Sequence, residues 1–330
     1  QQVINAADAL AQRMNAVSQL LASQRAAVAQ QRIATVSQIN GLAKDIADLN
    51  TQIVIANGTG INASGLIDTR DRKLDELASL VALQVVEQPD GSRSVALRGG
   101  QPLVVGGHAA TVTAAFNADG SQSLSLSLAQ EVFSLDDTAL GGELGGLQEL
   151  ERDVLAPLMR SLAEMAQQLA DNVNAQLAAG YTPDGAPGQP LFAVDISGDI
   201  GLLRINPNLG GADLAFSAVP GEPGNSDNLR ALIALRDQPV TLSLLGSVTL
   251  SDAVTQLVGR LGMDSQQNQS ALDTARAVRN QAEESWKSTS GVNLDEEAIN
   301  LMQYQQMYES NMKVIAVANE LFDSTLAMLR

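Results

Sequence analysis

Residues 1–57 read QQVINAADALAQRMNAVSQLLASQRAAVAQQRIATVSQINGLAKDIADLNTQIVIAN, with no proline and a single interior glycine at Gly41. A row of positions seven apart runs Ala7, Met14, Leu21, Val28, Thr35, Leu42 and Leu49. Its companions are Val3, Leu10 and Val17 in the first half, and Ile39, Ile46 and Ile53 in the second. The companion phase slips by one residue midway. A straight helix drifts about 20° per heptad against a 3.5-residue repeat, so this slip suits one long, nearly straight helix. At 1.5 Å per residue such a helix is about 80 Å long, a length that bundles and filament subunits use. Amides flank the apolar rows: Gln12, Asn15, Gln19, Gln24, Gln30, Gln31, Gln38, Asn40, Asn50 and Gln52. A solvated face more often carries Glu–Lys pairs. The amides are therefore read either as a neutral surface able to pack on copies of itself or as an uncharged solvated face.

Outward from this rod, the turn residues Asn57-Gly58-Thr59-Gly60 precede a short helix from about Ser64 to Leu80, striped by Leu66, Ile67, Leu74, Leu77 and Leu80. The period then changes to two. Leu83–Glu87 and Ser94–Leu97 flank Pro89-Asp90-Gly91-Ser92, and a second hairpin signal, Asn117-Ala118-Asp119-Gly120, separates Ala109–Phe116 from the alternating Ser123–Leu128. Residues 83–142 thus read as a small antiparallel β domain.

Helix is expected again from Glu143, with the stripe Leu144, Leu147, Leu150, Val154, Leu158, Leu162, Met165, Leu169, Val173 and Leu177, a local kink at most at Pro157, and a stop at Gly180. Residues 181–250 are Gly/Pro-punctuated and read as an irregular mixed β/turn segment. It has short strands at Leu202–Ile205 and Val240–Leu245 and a helix at Asn228–Arg236. From Ser251, a plausible N-cap, the pattern is helical to the end apart from a turn near Ser288–Asn293, with Asn293 or Asp295 capping the last helix. There a second heptad row appears: Leu294, Leu301, Tyr308, Ile315, Phe322 and Leu329, with Tyr304 beside it. The expected fold is α+β, mainly α. Residues 1–82, 143–180 and 251–330 form a discontinuous long-helix bundle, with the β domain inserted and 181–250 facing outward.

Composition limits the chemistry. The 330 residues hold no cysteine, one histidine and nine aromatics, against 45% hydrophobic residues. Thiol nucleophiles, thiolate redox chemistry and Cys/His zinc sites are excluded. The lone His108 lies in an apolar Gly/Ala stretch without a nucleophile elbow. With 37 acids against 20 bases the net charge is −17, which opposes binding to phosphate backbones. No apolar run approaches the roughly 20 residues that span a bilayer. No metal or other cofactor is expected. Gly58–Ala63 fits G-x-G-x-x-A but follows a helix instead of a strand. Gly141–Gly146 lacks the Lys-Ser/Thr of a phosphate loop, and Asp136-Asp137 and Asp184-Gly185 lack calcium-loop spacing. Trp286 reads as a packing residue. The densest carboxylates, Asp68, Asp71, Asp75 and Glu76, alternate with Arg70 and Arg72 and read as helix-end and ion-pair residues.

Several segments, taken in order, resemble the flagellar hook-associated protein 1 family. They are Ile39-Asn40-Gly41-Leu42 with Ile46–Ile53; Leu66–Asp71 with Leu74 and Leu77; Gly100-Gln101-Pro102-Leu103-Val104; Gly141–Leu147; Leu169–Asn174; and Gly180-Tyr181 through Gly188 to Leu191-Phe192. The closing segment, from Gly291-Val292-Asn293-Leu294 through Tyr308 to Leu321-Phe322-Asp323, is of the kind shared by flagellar axial proteins. The resemblance implies a non-enzymatic subunit joining hook to filament, outside the cell after type III export, with terminal helices forming the inner tube. Implied partners are copies of itself, the hook protein, the second junction protein and a cytoplasmic export chaperone at the C-terminal region. No nucleic acid and no membrane insertion are implied. From the family pattern this sequence is expected to lack the N-terminal polymerisation segment that would precede Gln1, and its compact middle is expected to carry a reduced outermost domain. The expected assembly face is Leu294, Leu301, Tyr304, Tyr308, Ile315, Phe322 and Leu329, and Asp68, Arg70 and Asp71 form a structural family motif. The alternatives are another axial protein of flagellin type, or a secreted peptidoglycan-cleaving enzyme using Asp68 and Asp71.

Overall fold

A computed structural model of the chain describes residues 1–118, 120–135, 140–196, 201–222, 224–290 and 298–313. The protein divides into two units, Gln1–Val258 and Gly259–Arg330.

The long first helix, α1, runs Gln2–Thr59 without interruption. It ends where Gly60 adopts φ +73°, a left-handed conformation that costs glycine no Cβ clash, and returns its N–H to the carbonyls of Ala56 and Asn57. The second-half companions Ile39, Ile46 and Ile53 are fully buried. The first-half companions Val3, Leu10 and Val17 are more than two-fifths exposed. Helix α2, Ser64–Leu80, starts where Asn62 Oδ1 accepts from the Ser64 N–H at 2.9 Å, and it buries Leu74, Leu77 and Leu80.

The period-two region forms two antiparallel sheets. Strands β1 (Leu83–Glu87), β2 (Arg93–Leu97), β3 (Pro102–Val105) and β4 (His108–Ala109) pair in that order. Strands β5 (Thr111–Phe116), β6 (Gln122–Leu128) and β7 (Glu131–Ser134) make the second sheet. The Pro89–Ser92 and Asn117–Gly120 signals both fall at hairpin connections, Glu87 facing Arg93 and Phe116 facing Gln122. Inward residues of both sheets (Val95, Leu97, Leu103, Val104, Val112, Leu124 and Leu126) join Val36, Ile39, Ala43 and Ile46 of α1 and the α2 leucines in one apolar core.

Helix α3, Gly142–Glu149, continues through a π-turn at Leu150–Leu155 into α4, Ala156–Ala178. The uniform stripe expected through this stretch breaks here. Leu150 is 40% exposed while Leu155 is buried, because the π-turn inserts a residue and shifts the inward face by one position. Pro157 supplies a local cause: it has no N–H to donate, and its ring crowds the carbonyl of the preceding turn. The Ala156 N–H accordingly reaches Glu151 O, five residues back.

Beyond Gly180 lie two small antiparallel pairs, β8 (Phe192–Val194) with β9 (Leu203–Ile205) and β10 (Val240–Leu242) with β11 (Gly246–Val248), and the helix α5 (Asp227–Ala234). A second core joins Ile4, Ala7 and Ala11 of α1 to Ala170 and Leu177 of α4, Phe192 and Leu203. Helix α6 runs Leu250–Ser290, so Ser288 is helical instead of lying in a turn. Thr249, rather than Ser251, caps it: its Oγ1 accepts from the Asp252 N–H at 3.2 Å and donates to Asp252 Oδ2 at 2.8 Å. Residues 298–313 are also helical. The proposed caps Asn293 and Asp295 lie outside the described residues.

Candidate functional site

The carboxylate-rich start of α2 proves to be a structural joint. Arg70 is 1% exposed. Its Nη1 donates to Gly91 O at 2.7 Å in the β1–β2 turn and to Asn50 Oδ1 of α1 at 3.2 Å. Its Nε stands 3.7 Å from Asp71 Oδ1, an ion pair rather than a hydrogen bond. Asp71 also accepts a short bond from Arg93 Nη1. Burial, with Arg93 as like-charged neighbour, pushes the Arg70 guanidinium below the usual arginine value. Asp71 therefore pairs with two guanidinium groups and is held in the structural joint. Asp68 is exposed on α2. The pair thus divides between a structural anchor and a surface acid.

Asn50 is fully buried at the centre of this joint. Its Nδ2 donates to Arg93 O at 2.8 Å and Gly106 O at 2.9 Å, and its Oδ1 accepts from the Arg93 N–H at 3.0 Å. The device recurs. Asn40 pairs with both backbone groups of Val112, each at 2.8 Å. Asn15 does the same with Leu203, donating at 2.8 Å and accepting at 2.9 Å. Asn174 of α4 donates to Phe192 O at 2.8 Å and accepts from the Phe192 N–H at 3.0 Å. A carboxamide has a donor and an acceptor in the same plane, so it mimics a strand residue and pairs with strand backbone from a helix. Sequence reading picked out Asn15, Asn40 and Asn50 as polar positions, without their internal targets. Here these three serve the fold within the chain.

A second buried ion cluster escaped the sequence altogether. Arg32 of α1, 2% exposed, meets Glu151 Oε2 at 2.7 Å, and Arg25 Nε meets Glu151 Oε1 at 3.1 Å. Arg32 also donates to Leu147 O at 3.2 Å and Gln122 Oε1 at 3.3 Å. Glu151 lies in the π-turn, more than a hundred residues away in sequence, so no local pattern announces the pairing.

Of the expected assembly face, Leu301, Tyr304 and Tyr308 lie on the described helix 298–313 and are 61%, 67% and 68% exposed. Leu294, Ile315, Phe322 and Leu329 lie outside the described residues. Ile299, Met302, Met307 and Met312 on the same helix are also at least half exposed. In the other unit, α1 presents Val3, Leu10, Val17 and Leu20.

The remaining chemical candidates resolve into turns and surface. Gly141 and Gly142 both have φ near +60°, and a Cβ on Gly142 would meet the Leu80–Val81 backbone, so this doublet is a tight turn against α2. Gly58-Thr59-Gly60 closes α1. His108 sits exposed on β4 and Trp286 exposed on α6. Asp119 and Asp136-Asp137 lie outside the described residues. Among the described residues no group of three His, Asp or Glu side chains is placed to hold a metal ion, and no helix is long and apolar enough to cross a membrane.

Comparison with known proteins matches residues 1–192 to the family model described as flagellar hook-associated protein FlgK helical domain. Residues 288–328 match the flagellar basal body rod FlgEFG protein C-terminal model. Flagellar hook-associated protein 1 of Salmonella typhimurium is 26% identical, over 99% of this chain and 76% of its own. The Escherichia coli protein of that name is 25% identical, over 89% and 70%, and that of Bacillus subtilis 24%, over 96% and 69%. Among solved structures, the flagellar hook junction protein FlgK from Burkholderia pseudomallei is 34% identical with a TM-score of 0.54, the match covering 59% of this chain and 36% of that one. Over half of the chain, including the Arg70–Asn50 joint and three of the four asparagine staples in full, falls within the first family model. The chain therefore belongs to the FlgK family of flagellar hook-associated proteins, and its role is a structural one at the junction of flagellar hook and filament.

Proposed function

We propose that this chain is a non-enzymatic subunit exported by the type III route and assembled outside the cell through its terminal helices. It packs there against copies of itself, the hook protein and the second junction protein. Before export, the same C-terminal region is held by a cytoplasmic chaperone. The observation that carries this reading is the exposed apolar face of residues 298–313, centred on Leu301, Tyr304 and Tyr308. Burying a large apolar side chain is worth about 1.5–3 kcal/mol, so leaving a whole face uncovered favours a partner. The α1 stripe of Val3, Leu10 and Val17 supports the same reading at the other end of the chain.

Complementation of a deletion strain tests it. Leu301→Asp with Tyr308→Asp is expected to yield hooks without filaments by electron microscopy and to abolish capture by the chaperone. Normal filaments together with unchanged capture would refute it. The purified chain is expected to leave peptidoglycan uncleaved, with or without Asp71→Asn.

A further inference from the structure

The chain holds two Asn-Gly pairs, Asn40-Gly41 and Asn57-Gly58, and α1 carries both. Such a pair is chemically labile: the backbone nitrogen that follows asparagine can attack the side-chain carboxamide, and glycine obstructs that attack least. Attack requires the backbone at the asparagine to leave helical geometry.

The two pairs sit in opposite surroundings. Asn40 lies deep inside α1 between the fully buried Ile39 and Ala43, and both halves of its carboxamide are bonded to Val112 at 2.8 Å. Asn57 is exposed in the last turn of α1, which ends at Thr59. Its Nδ2 donates to Asp90 O at 3.3 Å, a long bond. Nothing stands within 4 Å of the place a Gly58 Cβ would take. Terminal helical turns fray, whereas packed interior turns open only with the core.

We propose that Asn57 is a site of spontaneous deamidation, and that helix interior and Val112 pairing shield Asn40 from the same reaction. The Gly58 nitrogen bonds to Asn57 Cγ and the Cγ–Nδ2 bond breaks. Ammonia leaves with the proton of the Gly58 amide, closing a five-membered imide. Water then opens the imide at either carbonyl, leaving an aspartate or an isoaspartate at this position. The product meets the β1–β2 turn differently. Asn57 Nδ2 packs so near Gly91 that a Cβ there would stand 2.5 Å from it. Deamidation replaces this donor with a carboxylate beside the Asp90 carbonyl, and sets a negative charge at the negative end of the α1 dipole. It thereby loosens α1 from the turn that Arg70 also grips through Gly91 O.

Peptide mapping by mass spectrometry tests this on the full chain held in warm, mildly alkaline buffer. In the folded chain Asn57 is expected to convert progressively while Asn40 stays an amide; in guanidinium both should convert at comparable rates. Gly58→Ala should slow conversion at Asn57 several-fold. Asn57→Asp should speed hydrogen exchange at the Gly91 amide, which donates to Gln88 O at 2.9 Å. Three results would each overturn the proposal: an Asn57 that survives folding conditions intact while reacting in guanidinium, an Asn40 that converts as fast as Asn57 in the folded chain, or Gly58→Ala leaving the rate unchanged. Unaltered exchange in Asn57→Asp would overturn the loosening of the turn.

Discussion

Asn50 of α1 holds Arg93 of β2 by both backbone groups, its amide nitrogen donating to Arg93 O at 2.8 Å and its oxygen accepting from the Arg93 N–H at 3.0 Å. Asn50→Leu keeps the volume but strands that N–H, the Gly106 carbonyl and one hydrogen bond of the buried Arg70. Orphaned buried groups cost roughly 1–3 kcal/mol each, so a loss of about 3 kcal/mol or more is expected in denaturant melts. Gln38→Ala, at an exposed α1 position, should change stability by no more than about 0.5 kcal/mol.

Asp90 in the β1–β2 turn accepts from the Ser92 N–H at 2.9 Å and from Ser92 Oγ at 2.7 Å, and these bonds lower its pKa. A depressed folded-state value contributes stability that is present above the ordinary carboxylate pKa of about 3.9 and is lost as pH falls through the lowered value. Hydrogen exchange at the Ser92 amide should therefore accelerate in acid, and Asp90→Asn should remove that pH dependence.

Ala129 turns the β6–β7 hairpin at φ +54° between the facing pair Leu128 and Glu131. A left-handed conformation costs a residue with a Cβ about 1–2 kcal/mol. Ala129→Gly should raise the thermal midpoint, with a net gain of about 0.5–1 kcal/mol after the added chain entropy of glycine. An unchanged or lowered midpoint would count against strain at this turn.

Gly188 approaches the end of α4 so closely that a Cβ would overlap Leu177 O and stand 2.6 Å from the Ala215 Cβ. Its N–H also donates to Gly180 O at 3.0 Å. Gly188→Ala must displace backbone, and a loss of about 2 kcal/mol is expected on the scale of overpacked cores. Backbone NMR shifts should cluster around the second core, leaving the Arg70 joint unmoved.

Much of this architecture was legible in the residues. The proline-free start, the period change after Leu80 and the turn signals at Pro89–Ser92 placed α1, α2 and the hairpins, because each is a local pattern with a local cause. The slip between Leu150 and Leu155 was not legible: a heptad count reads straight through a π-turn, whose cause is tertiary as much as the presence of Pro157. The amides were visible as a departure from ordinary helix surfaces. Their targets, Leu203, Val112 and Arg93, lie tens of residues or more away, and an unpaired Asn in sequence does not name the strand it completes. Arg32 and Glu151 failed for the same reason. Thr249 and Ser251 are equally good caps by residue type, and the choice between them is set by where Leu250 turns inward.

The asparagine staples also bear on the medium in which the protein must keep its shape. Carboxamides neither gain nor lose protons across the biological range, and bonds between uncharged groups are little affected by dissolved ions. The bonds of Asn15, Asn40 and Asn174 to Leu203, Val112 and Phe192 thus carry no charge of their own to be screened or titrated away in brackish or acidic surroundings.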